Sequence, residues 1–334
     1  MVISKAYIKN SLYNNALLWK IIEFFQGLHY ALSYLFYYKL ALRKDTSIRE
    51  INIEFSSECN LRCTFCALDH NKEKAFLEKQ TLIKLLDELK NEKRFSSVER
   101  IQLYNGGETL LHPEKFDLLA ILKEYKEAFL ATNRVFPQVV LLTNATLLRE
   151  RQSKTLIDLD IVDEVLVSLD GGSPESFEKF RVRAKWSMFY RNIKDFLRYK
   201  KEVASKIKLR TISIIPEDKP FTLDWMHPEF REILEAADTY ELRRLHNWAG
   251  EVALENKDKK HKIGCSLLMK QMVVLPNGDV TVCCSDLNSR GVIGNLKKES
   301  LISVYESKKR LSWLHSLLLG RKADVDLCKN CETF

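Results

Sequence analysis

Hydrophobic and polar residues alternate along the chain in segments of strand length followed by segments of helix length. Six strands are predicted, at Ile51–Phe55, Val98–Tyr104, Val139–Thr143, Val165–Leu169, Ile207–Ile215 and Tyr240–His246. A helix is predicted after each of the first five, at Gln80–Lys90, Lys115–Glu127, Leu147–Ile157, Ser176–Lys200 in one or two pieces, and Pro228–Ala237. Regular strand–helix alternation favours a parallel sheet. The predicted fold is therefore α/β, a partial (β/α)6 TIM-like barrel that is open on one side.

The pattern changes after the sixth strand. A charged segment, Asn256–Lys262, is predicted to be a linker, and a β-hairpin is predicted beyond it, with an Asn277-Gly278 turn between Met272–Leu275 and Val280–Val282. A helix over Ser300–Leu319 follows. The predicted domains are thus an N-terminal helical extension over 1–48, the barrel over 49–255, and a small hairpin-plus-helix domain over 256–334.

The N-terminal extension is apolar between Asn15 and Leu42, but charged and polar residues interrupt it. A membrane span needs about 20 nearly uninterrupted apolar residues, so a span is not expected. We favour an amphipathic helical pair that packs on the protein. A peripheral contact with a membrane surface through residues 15–42 and dimer formation are the alternatives.

Composition limits the class of protein. With 334 residues and 46% hydrophobic residues, the chain can bury one large core and a small appendage. Eight cysteines without a signal peptide indicate a reducing, cytoplasmic setting rather than a disulfide framework. The net charge of +8 is spread along the chain, so we expect a solvated surface and no nucleic-acid partner. Attraction of an anionic substrate is the alternative interpretation of this charge.

Three cysteines, Cys59, Cys63 and Cys66, follow the first strand at C-x3-C-x2-C spacing. Three thiolates from one loop can hold three irons of a 4Fe-4S cluster and leave the fourth iron open for a ligand. The carboxyl ends of parallel strands are where α/β folds bind ligands. A zinc site or three buried thiols are the alternatives, although zinc would require a fourth Cys or His nearby.

This motif, with Phe65 before its last cysteine, resembles that of the radical S-adenosylmethionine (SAM) enzymes. The resemblance implies that the amine and carboxylate of SAM chelate the open iron. It also implies that one electron, from a donor such as flavodoxin or ferredoxin, cleaves SAM to a 5′-deoxyadenosyl radical. The partial barrel is the fold that this family shares.

Further segments carry the same resemblance. Gly106, Gly107 and Glu108 resemble the family's Gly-Gly-Glu-Pro motif, which holds the SAM amine, and Thr109 replaces the proline. The resemblance also implies that Asn144 and Ser168 lie at the ribose and methionine parts of SAM, and that Arg181 pairs with the SAM carboxylate. Strand-terminal capping for the first two and a solvated helix arginine for the third are the alternatives.

The C-terminal cysteines form a second set, whose members are Cys265, Cys283, Cys284, Cys328 and Cys331. It resembles the twitch subdomain, a shortened SPASM domain that binds one auxiliary 4Fe-4S cluster. Cys283 and Cys284 face opposite sides of a regular strand, so we expect one of them to be a ligand and prefer Cys283. A zinc site with four cysteine ligands is the alternative.

No segment of the sequence identifies the substrate directly. His246, at the end of the sixth strand, can act as a general base for a hydroxyl, or it can be a packed histidine between the domains. The resemblance implies either dehydrogenation of a small polar, carbohydrate-like substrate or modification of a ribosomally made peptide. The extension is short and apolar for a peptide-recognition domain, which favours the small substrate. A non-catalytic iron–sulfur or zinc scaffold is the alternative from another class.

Overall fold

Strands that pair in parallel alternate with helices as predicted. One helix, α1 (Ala16–Leu42), precedes the six strands β1 (Glu50–Ile53), β2 (Arg100–Leu103), β3 (Gln138–Thr143), β4 (Glu164–Ser168), β5 (Lys208–Ile214) and β6 (Thr239–Arg243). The helices between them are α2 (Lys79–Asn91), α3 (Lys115–Leu130), α4 (Glu150–Leu159), α5 (Pro174–Phe180), α6 (Trp186–Glu202) and α7 (Pro228–Ala236). These elements come from a computed structural model, which describes residues 16–42, 48–254 and 264–332. The predicted α/β fold class is confirmed.

Contacts divide the chain into two compact units, each built from segments that are distant in the sequence. The first unit contains described residues 16–23, 59–66 and 139–245. The second contains described residues 24–42, 48–58, 67–138, 246–254 and 264–332. The predicted linker over Asn256–Lys262 lies outside the described residues.

In the first unit, β3 to β6 lie side by side in chain order, and every pair is parallel. Residues in register on neighbouring strands point to the same face. One face carries a chain of ion pairs, in which Arg210 contacts Glu164 at 3.4 Å and Glu241 at 3.0 Å. Arg243 also contacts Glu241, at 3.0 Å. Paired charges explain how these carboxylates can be largely buried.

Helices of the first unit pack against each other through aromatic side chains. Ser173 begins α5 with a reciprocal cap, because its hydroxyl accepts from Ser176 N–H while the Ser176 hydroxyl accepts from Ser173 N–H. The buried residues of α6 recur every three or four positions, which is the spacing of one helix face. Trp186 of that face stacks on Phe230 of α7, with ring centroids 4.6 Å apart.

In the second unit, β1 lies between β2 and β7 (Gln271–Val274) and is parallel to both. The predicted hairpin is confirmed, since β7 pairs antiparallel with β8 (Asp279–Thr281), and β8 pairs antiparallel with β9 (Gly294–Asn295). Gly278 has a φ of +89° in the turn, a conformation that glycine adopts without strain.

The C-terminal helices differ from the prediction. The prediction of a single helix over Ser300–Leu319 was wrong, because the segment forms two helices, α9 (Leu301–Tyr305) and α10 (Lys308–Leu318). Ser307 separates them, since its hydroxyl accepts from Arg310 N–H at 3.3 Å and caps a new helix. A short helix, α8 (Ser266–Lys270), leads directly into β7.

The N-terminal segment also differs from the prediction of a helical pair, because α1 is one continuous helix of 27 residues. Gly27 does not end it, since one glycine inside a helix costs only about 1 kcal/mol. Among the α1 side chains that the structure describes, nine large apolar ones are exposed, namely Leu17, Leu18, Ile21, Phe24, Phe25, Leu28, Leu32, Leu35 and Phe36. Among the described residues, no helix combines the length and apolar character needed to cross a membrane.

Candidate functional site

The loop with the first three cysteines belongs to the first unit and follows β1 in the sequence. Backbone hydrogen bonds fix it, from Arg62 N–H to Val182 O and from Thr64 N–H to Phe180 O, both at 3.0 Å. Cys59, Cys63 and Cys66 are all half-buried on this loop. Burial raises the pKa of the Cys63 thiol, and the nearby Arg181 guanidinium opposes that rise. Three thiols on one constrained loop suit an iron–sulfur cluster.

Asn144 holds this loop through side chains of the first unit. Its Nδ2 donates to Asn60 Oδ1 at 3.0 Å, and Asn60 Nδ2 donates to Thr146 Oγ1 at 2.8 Å. Thr146 Oγ1 donates back to Asn144 Oδ1 at 2.6 Å, which closes a triangle of three side chains. Asn60 directly follows Cys59, so the triangle connects the end of β3 to the cysteine loop. Asn60 was missed from the sequence, although its position inside the cysteine motif was a signal.

Arg181 lies at the end of α5 and contacts Asp170, which follows β4. Its Nε donates to Asp170 Oδ2 at 2.6 Å, Nη2 contacts the same oxygen, and Asp170 Oδ1 accepts from Ile214 N–H at 2.6 Å. The guanidinium carbon lies 5.6 Å from the centre of the Phe65 ring. Arg181 is thus fixed beside the cysteine loop. Ser168 is buried at the end of β4.

In the second unit, the turn at Gly106 and Gly107 is built around Glu54. Its Oε1 accepts from Gly106 N–H at 2.9 Å and from Gly107 N–H at 2.8 Å. A Cβ on Gly107 would lie 1.8 Å from Ser56 O, so a residue with a side chain does not fit there. Burial raises the pKa of Glu54, while Lys72 and the two N–H donors oppose the rise. Glu54 was missed, although an acidic residue in an apolar strand segment was a signal.

Glu108 is buried immediately after this turn. Its N–H donates to Glu58 O at 2.7 Å, and its Oε1 accepts from Leu110 N–H at 3.1 Å. Thr109 Oγ1 donates to Leu103 O at 2.7 Å, so a hydroxyl restrains the turn where the family motif has a proline. The carboxylate is therefore held in one place by backbone contacts, as a group that binds an ammonium ion should be.

The second cysteine set belongs to the second unit. Cys265, Cys283, Cys328 and Cys331 line one cavity of about 30 Å³, and among the described residues Cys284 is not part of that lining. Both Cys283 and Cys284 lie beyond the end of β8, so the expectation based on a regular strand did not apply to them. Four thiols around one cavity form a donor set that fits a cluster with no open iron.

Burial dominates the electrostatics of this cavity. It raises the pKa of Cys265 to about 11 and that of Cys328 to about 12. Lys322 and Arg290 oppose the rise at Cys328. Cluster binding must therefore displace thiol protons, as metal binding generally does. No three Cys, His, Asp or Glu side chains in the described part of the chain converge on a single metal ion.

Tyr34 of α1 packs beside this cavity. Its hydroxyl donates to Leu314 O at 2.8 Å, and a Cβ on Gly264 would lie 2.4 Å from the Tyr34 ring. Burial raises the pKa of Tyr34, and the neighbouring Cys265 and Cys328 thiols act in the same direction. The second half of α1 is thus part of the structure around the C-terminal cysteines, which the sequence did not indicate.

His246 is half-buried in the second unit. Its Nδ1 accepts from Trp248 N–H at 3.3 Å, and the two rings lie 4.2 Å apart. When Nδ1 accepts a hydrogen bond, the neutral ring carries its proton on Nε2. His246 can then take up a further proton only if it gives up the contact with Trp248.

Comparisons with known proteins agree with both cysteine sets. A sequence model of the radical SAM superfamily matches residues 53–220, just over half of the chain, and a model of an iron–sulfur cluster-binding domain (SPASM) matches residues 265–332. A relative from Niallia circulans, an S-adenosyl-L-methionine-dependent 2-deoxy-scyllo-inosamine dehydrogenase, is 24% identical over 282 residues. The match covers 84% of this chain and 91% of the relative.

Solved structures show the same fold. BtrN in complex with AdoMet and 2-DOIA has a TM-score of 0.58 at 20% identity, covering 86% of this chain and 94% of that chain. Streptococcus suis SuiB bound to precursor peptide SuiA has a TM-score of 0.62 at 16% identity, covering 88% of this chain and 73% of that chain.

Proposed function

Because this chain belongs to the radical SAM superfamily, we propose that it dehydrogenates a small polar, carbohydrate-like substrate. It is an oxidoreductase-type enzyme whose cofactors are SAM and two 4Fe-4S clusters. The observation that carries the proposal is the cavity lined by four thiols, in addition to the loop with three. A cluster with four protein ligands has no open iron for substrate, so we assign it electron transfer rather than substrate binding. The dehydrogenase among the relatives supports the same reaction type.

The proposed ligand sets follow from the two cysteine groups. Cys59, Cys63 and Cys66 would hold the SAM-binding cluster, and Cys265, Cys283, Cys328 and Cys331 the auxiliary one. Gly106, Gly107 and Glu108 would bind the SAM amine, and Phe65, Asn144, Ser168 and Arg181 would complete the SAM site. The proposed domains are 1–48, 49–255 and 256–334.

When bound, SAM and the cluster held by Cys59, Cys63 and Cys66 would supply hydrogen-atom abstraction at a substrate carbon, and a cluster held by Cys265, Cys283, Cys328 and Cys331 would supply a one-electron oxidant. An alcohol becomes a carbonyl only if the hydroxyl also loses its proton, so the enzyme needs a base. His246 is our proposed base, and it must release Trp248 N–H to accept the proton. Glu108 and Arg181, both fixed by backbone or ion-pair contacts, would orient SAM.

Modification of a ribosomally made peptide is the second candidate. The fold similarity to SuiB, which was solved with a precursor peptide, favours it. The small substrate is preferred because the relative that covers most of this chain is named for an aminated cyclitol rather than for a peptide. The family match and the relative named as a dehydrogenase support an enzyme rather than a non-catalytic scaffold.

The experiment that tests the proposal is anaerobic turnover with SAM, a reductant such as reduced flavodoxin, and panels of aminocyclitols, sugars and short peptides. We expect a polyol to accelerate release of 5′-deoxyadenosine and to lose two hydrogens by mass spectrometry. Acceleration by a peptide, with polyols inactive, would favour the second candidate instead.

We also propose a peripheral membrane contact through α1, in a cytoplasmic setting. Six of its exposed apolar residues follow each other three or four positions apart and so share one face: Leu17, Ile21, Phe24, Leu28, Leu32 and Leu35. Lys20 and Lys39 are exposed on the same helix and can contact anionic headgroups. Flotation with anionic vesicles should be lost in Phe24→Asp. A dimer in solution that this variant disrupts, without vesicle binding, would contradict the membrane contact.

A further inference from the structure

A short segment of the second unit, Asp286–Asn288, contacts the chain beside the Gly-Gly turn, the chain that follows Cys66 in the sequence, and the turn after Cys283. We call it the bridging segment. Asn105, directly before the Gly-Gly turn, donates from Nδ2 to Asp286 O at 3.2 Å. A Cβ on Gly106 would lie 3.3 Å from Leu287 O, so the turn packs directly on this backbone.

Asn288 binds the chain just after the first cysteine motif. Its Oδ1 accepts from Asp69 N–H at 2.8 Å, and its Nδ2 donates to Ala67 O at 2.7 Å. Nδ2 also lies 3.0 Å from Glu251 Oε2. Ala67 is the residue that follows Cys66 in the sequence. One asparagine side chain thus bonds this stretch of backbone at two positions.

The bridging segment is fixed at its other end to the second cysteine set. Asp286 N–H donates to Cys283 O at 3.0 Å. The fully buried Asp286 carboxylate accepts from Thr281 Oγ1 at 2.7 Å and from the N–H groups of Arg290 and Gly291, both at 2.8 Å. A carboxylate that is satisfied in this way holds the turn after Cys283 in one conformation.

We propose that the bridging segment positions the SAM-binding turn, and that SAM affinity therefore depends on whether the auxiliary cluster is bound. Asn105 and Asn288 are positioning residues in this proposal, which rests on the proposed role of Gly106–Glu108 in binding SAM.

The physical reason is that metal binding and folding are coupled in small metal domains. Loss of the auxiliary cluster frees Cys283, and the turn that Asp286 holds loses one fixed end. The loosened segment then no longer supports the backbone at Gly106. Coupling of this kind is reciprocal, so SAM should also stabilise the auxiliary cluster.

The test is a double-mutant cycle read by SAM binding, measured by anaerobic calorimetry without turnover. Cys328→Ala with Cys331→Ala removes the auxiliary cluster, and Asn288→Ala removes the bridge. We expect each change to weaken SAM binding about tenfold, since two or three hydrogen bonds are lost in the second case. Combined, they should still weaken binding about tenfold rather than a hundredfold, because both break the same connection.

Asn105→Ala cuts the bridge from the side of the SAM turn, and it should reproduce the Asn288→Ala effect even if that variant is poorly folded. Asn277→Ala is the matched control, since among its described contacts the exposed Asn277 side chain bonds only to Asp279 in the hairpin turn. Its backbone oxygen, which accepts from Asn295 Nδ2, is unchanged in the variant, and SAM binding should not change. In the bridge variants, iron content should stay at about eight per chain. Auxiliary clusters in the wild type should resist chelation longer when SAM is present.

Multiplicative effects in the cycle, or unchanged SAM affinity in both Asn288→Ala and Asn105→Ala, would overturn the proposal. Glu108→Ala distinguishes a failure of the bridging-segment proposal from a failure of the proposed SAM site. If Glu108→Ala weakens SAM binding and the bridge variants do not, the bridge is wrong and the site stands. If Glu108→Ala also has no effect, the SAM site is misplaced.

Discussion

Single residues decide how closely backbone segments approach each other in the second unit. The Gly-Gly turn lies against the backbone after β1, and the Glu54 carboxylate binds both of its N–H groups. A buried carboxylate is costly, and here it replaces hydrogen bonds that the turn could not obtain from water. The turn is therefore rigid before any ligand arrives, which reduces the entropy lost on binding.

Gly107→Ala should disrupt this turn, because its Cβ would overlap Ser56 O. We expect a loss of about 1 to 3 kcal/mol in the free energy of unfolding and a clear loss of SAM binding. Gly27→Ala is the control: it has open space around it inside α1 and should stabilise the helix by about 1 kcal/mol. Normal SAM affinity in Gly107→Ala, measured by calorimetry, would show that the turn does not bind SAM.

Glu54→Gln should change how stability depends on pH. Burial raises the pKa of Glu54 above its usual value near 4.5, so the folded protein binds this proton more tightly than the unfolded chain. The contribution of Glu54 to the free energy of unfolding of the wild type is therefore lost as pH rises from about 4.5 through the folded pKa. Glutamine keeps an acceptor oxygen and does not ionise. In denaturant unfolding, the free energy of unfolding of Glu54→Gln should increase relative to that of the wild type as pH rises. A relative decrease with rising pH would contradict the raised pKa of Glu54.

At the scale of elements, the sequence predicted the strands and helices, which hydrophobic periodicity determines. It missed helix boundaries and side-chain partners, which depend on single caps and tertiary contacts. All six parallel strands were found because buried strands are continuous apolar runs. The break before α10 depends on one serine cap, and the continuity of α1 depends on tolerance of one glycine. The local sequence marks Asn60 and Glu54 as unusual residues, but it does not show that they bind Asn144 and the Gly-Gly turn. Nor does it pair Asp170 with Arg181. These pairings depend on tertiary contacts.

Tyr34 tests whether α1 belongs to the structure around the auxiliary cluster. Tyr34→Ala should remove a large buried ring beside Gly264 and cost about 3 to 5 kcal/mol in unfolding free energy, together with iron from the auxiliary cluster. Tyr34→Phe loses only the hydrogen bond to Leu314 O, about 0.5 to 1.5 kcal/mol, and should keep the iron.

Leu35→Ala is the matched control for Tyr34→Ala, because the neighbouring side chain is 46% exposed and its loss should change neither stability nor iron content appreciably. Iron analysis and thermal melts distinguish the three variants. If Tyr34→Ala keeps its full iron content, α1 is not needed to bind the auxiliary cluster.

At the scale of the whole molecule, the two cysteine sets predict the metal content. Anaerobic reconstitution should give about eight irons per chain, from two 4Fe-4S clusters. A variant with alanine at Cys59, Cys63 and Cys66 should keep about four, because its second set is unchanged. Four irons with one zinc in the wild type would show that the C-terminal cysteines hold zinc rather than a cluster.

The role of the second cluster is tested by Cys328→Ala combined with Cys331→Ala. A fully ligated cluster can accept an electron but cannot bind substrate, so removing it should leave SAM cleavage and stop formation of the oxidised product. Because metal binding and folding are coupled in small domains, the variant must first be shown to be compact. The assay needs saturating SAM, since weaker SAM binding is expected for the same variant. A compact variant that lacks the second cluster and still forms oxidised product at the wild-type rate would make this cluster structural, and the dehydrogenase proposal would then lose its main support.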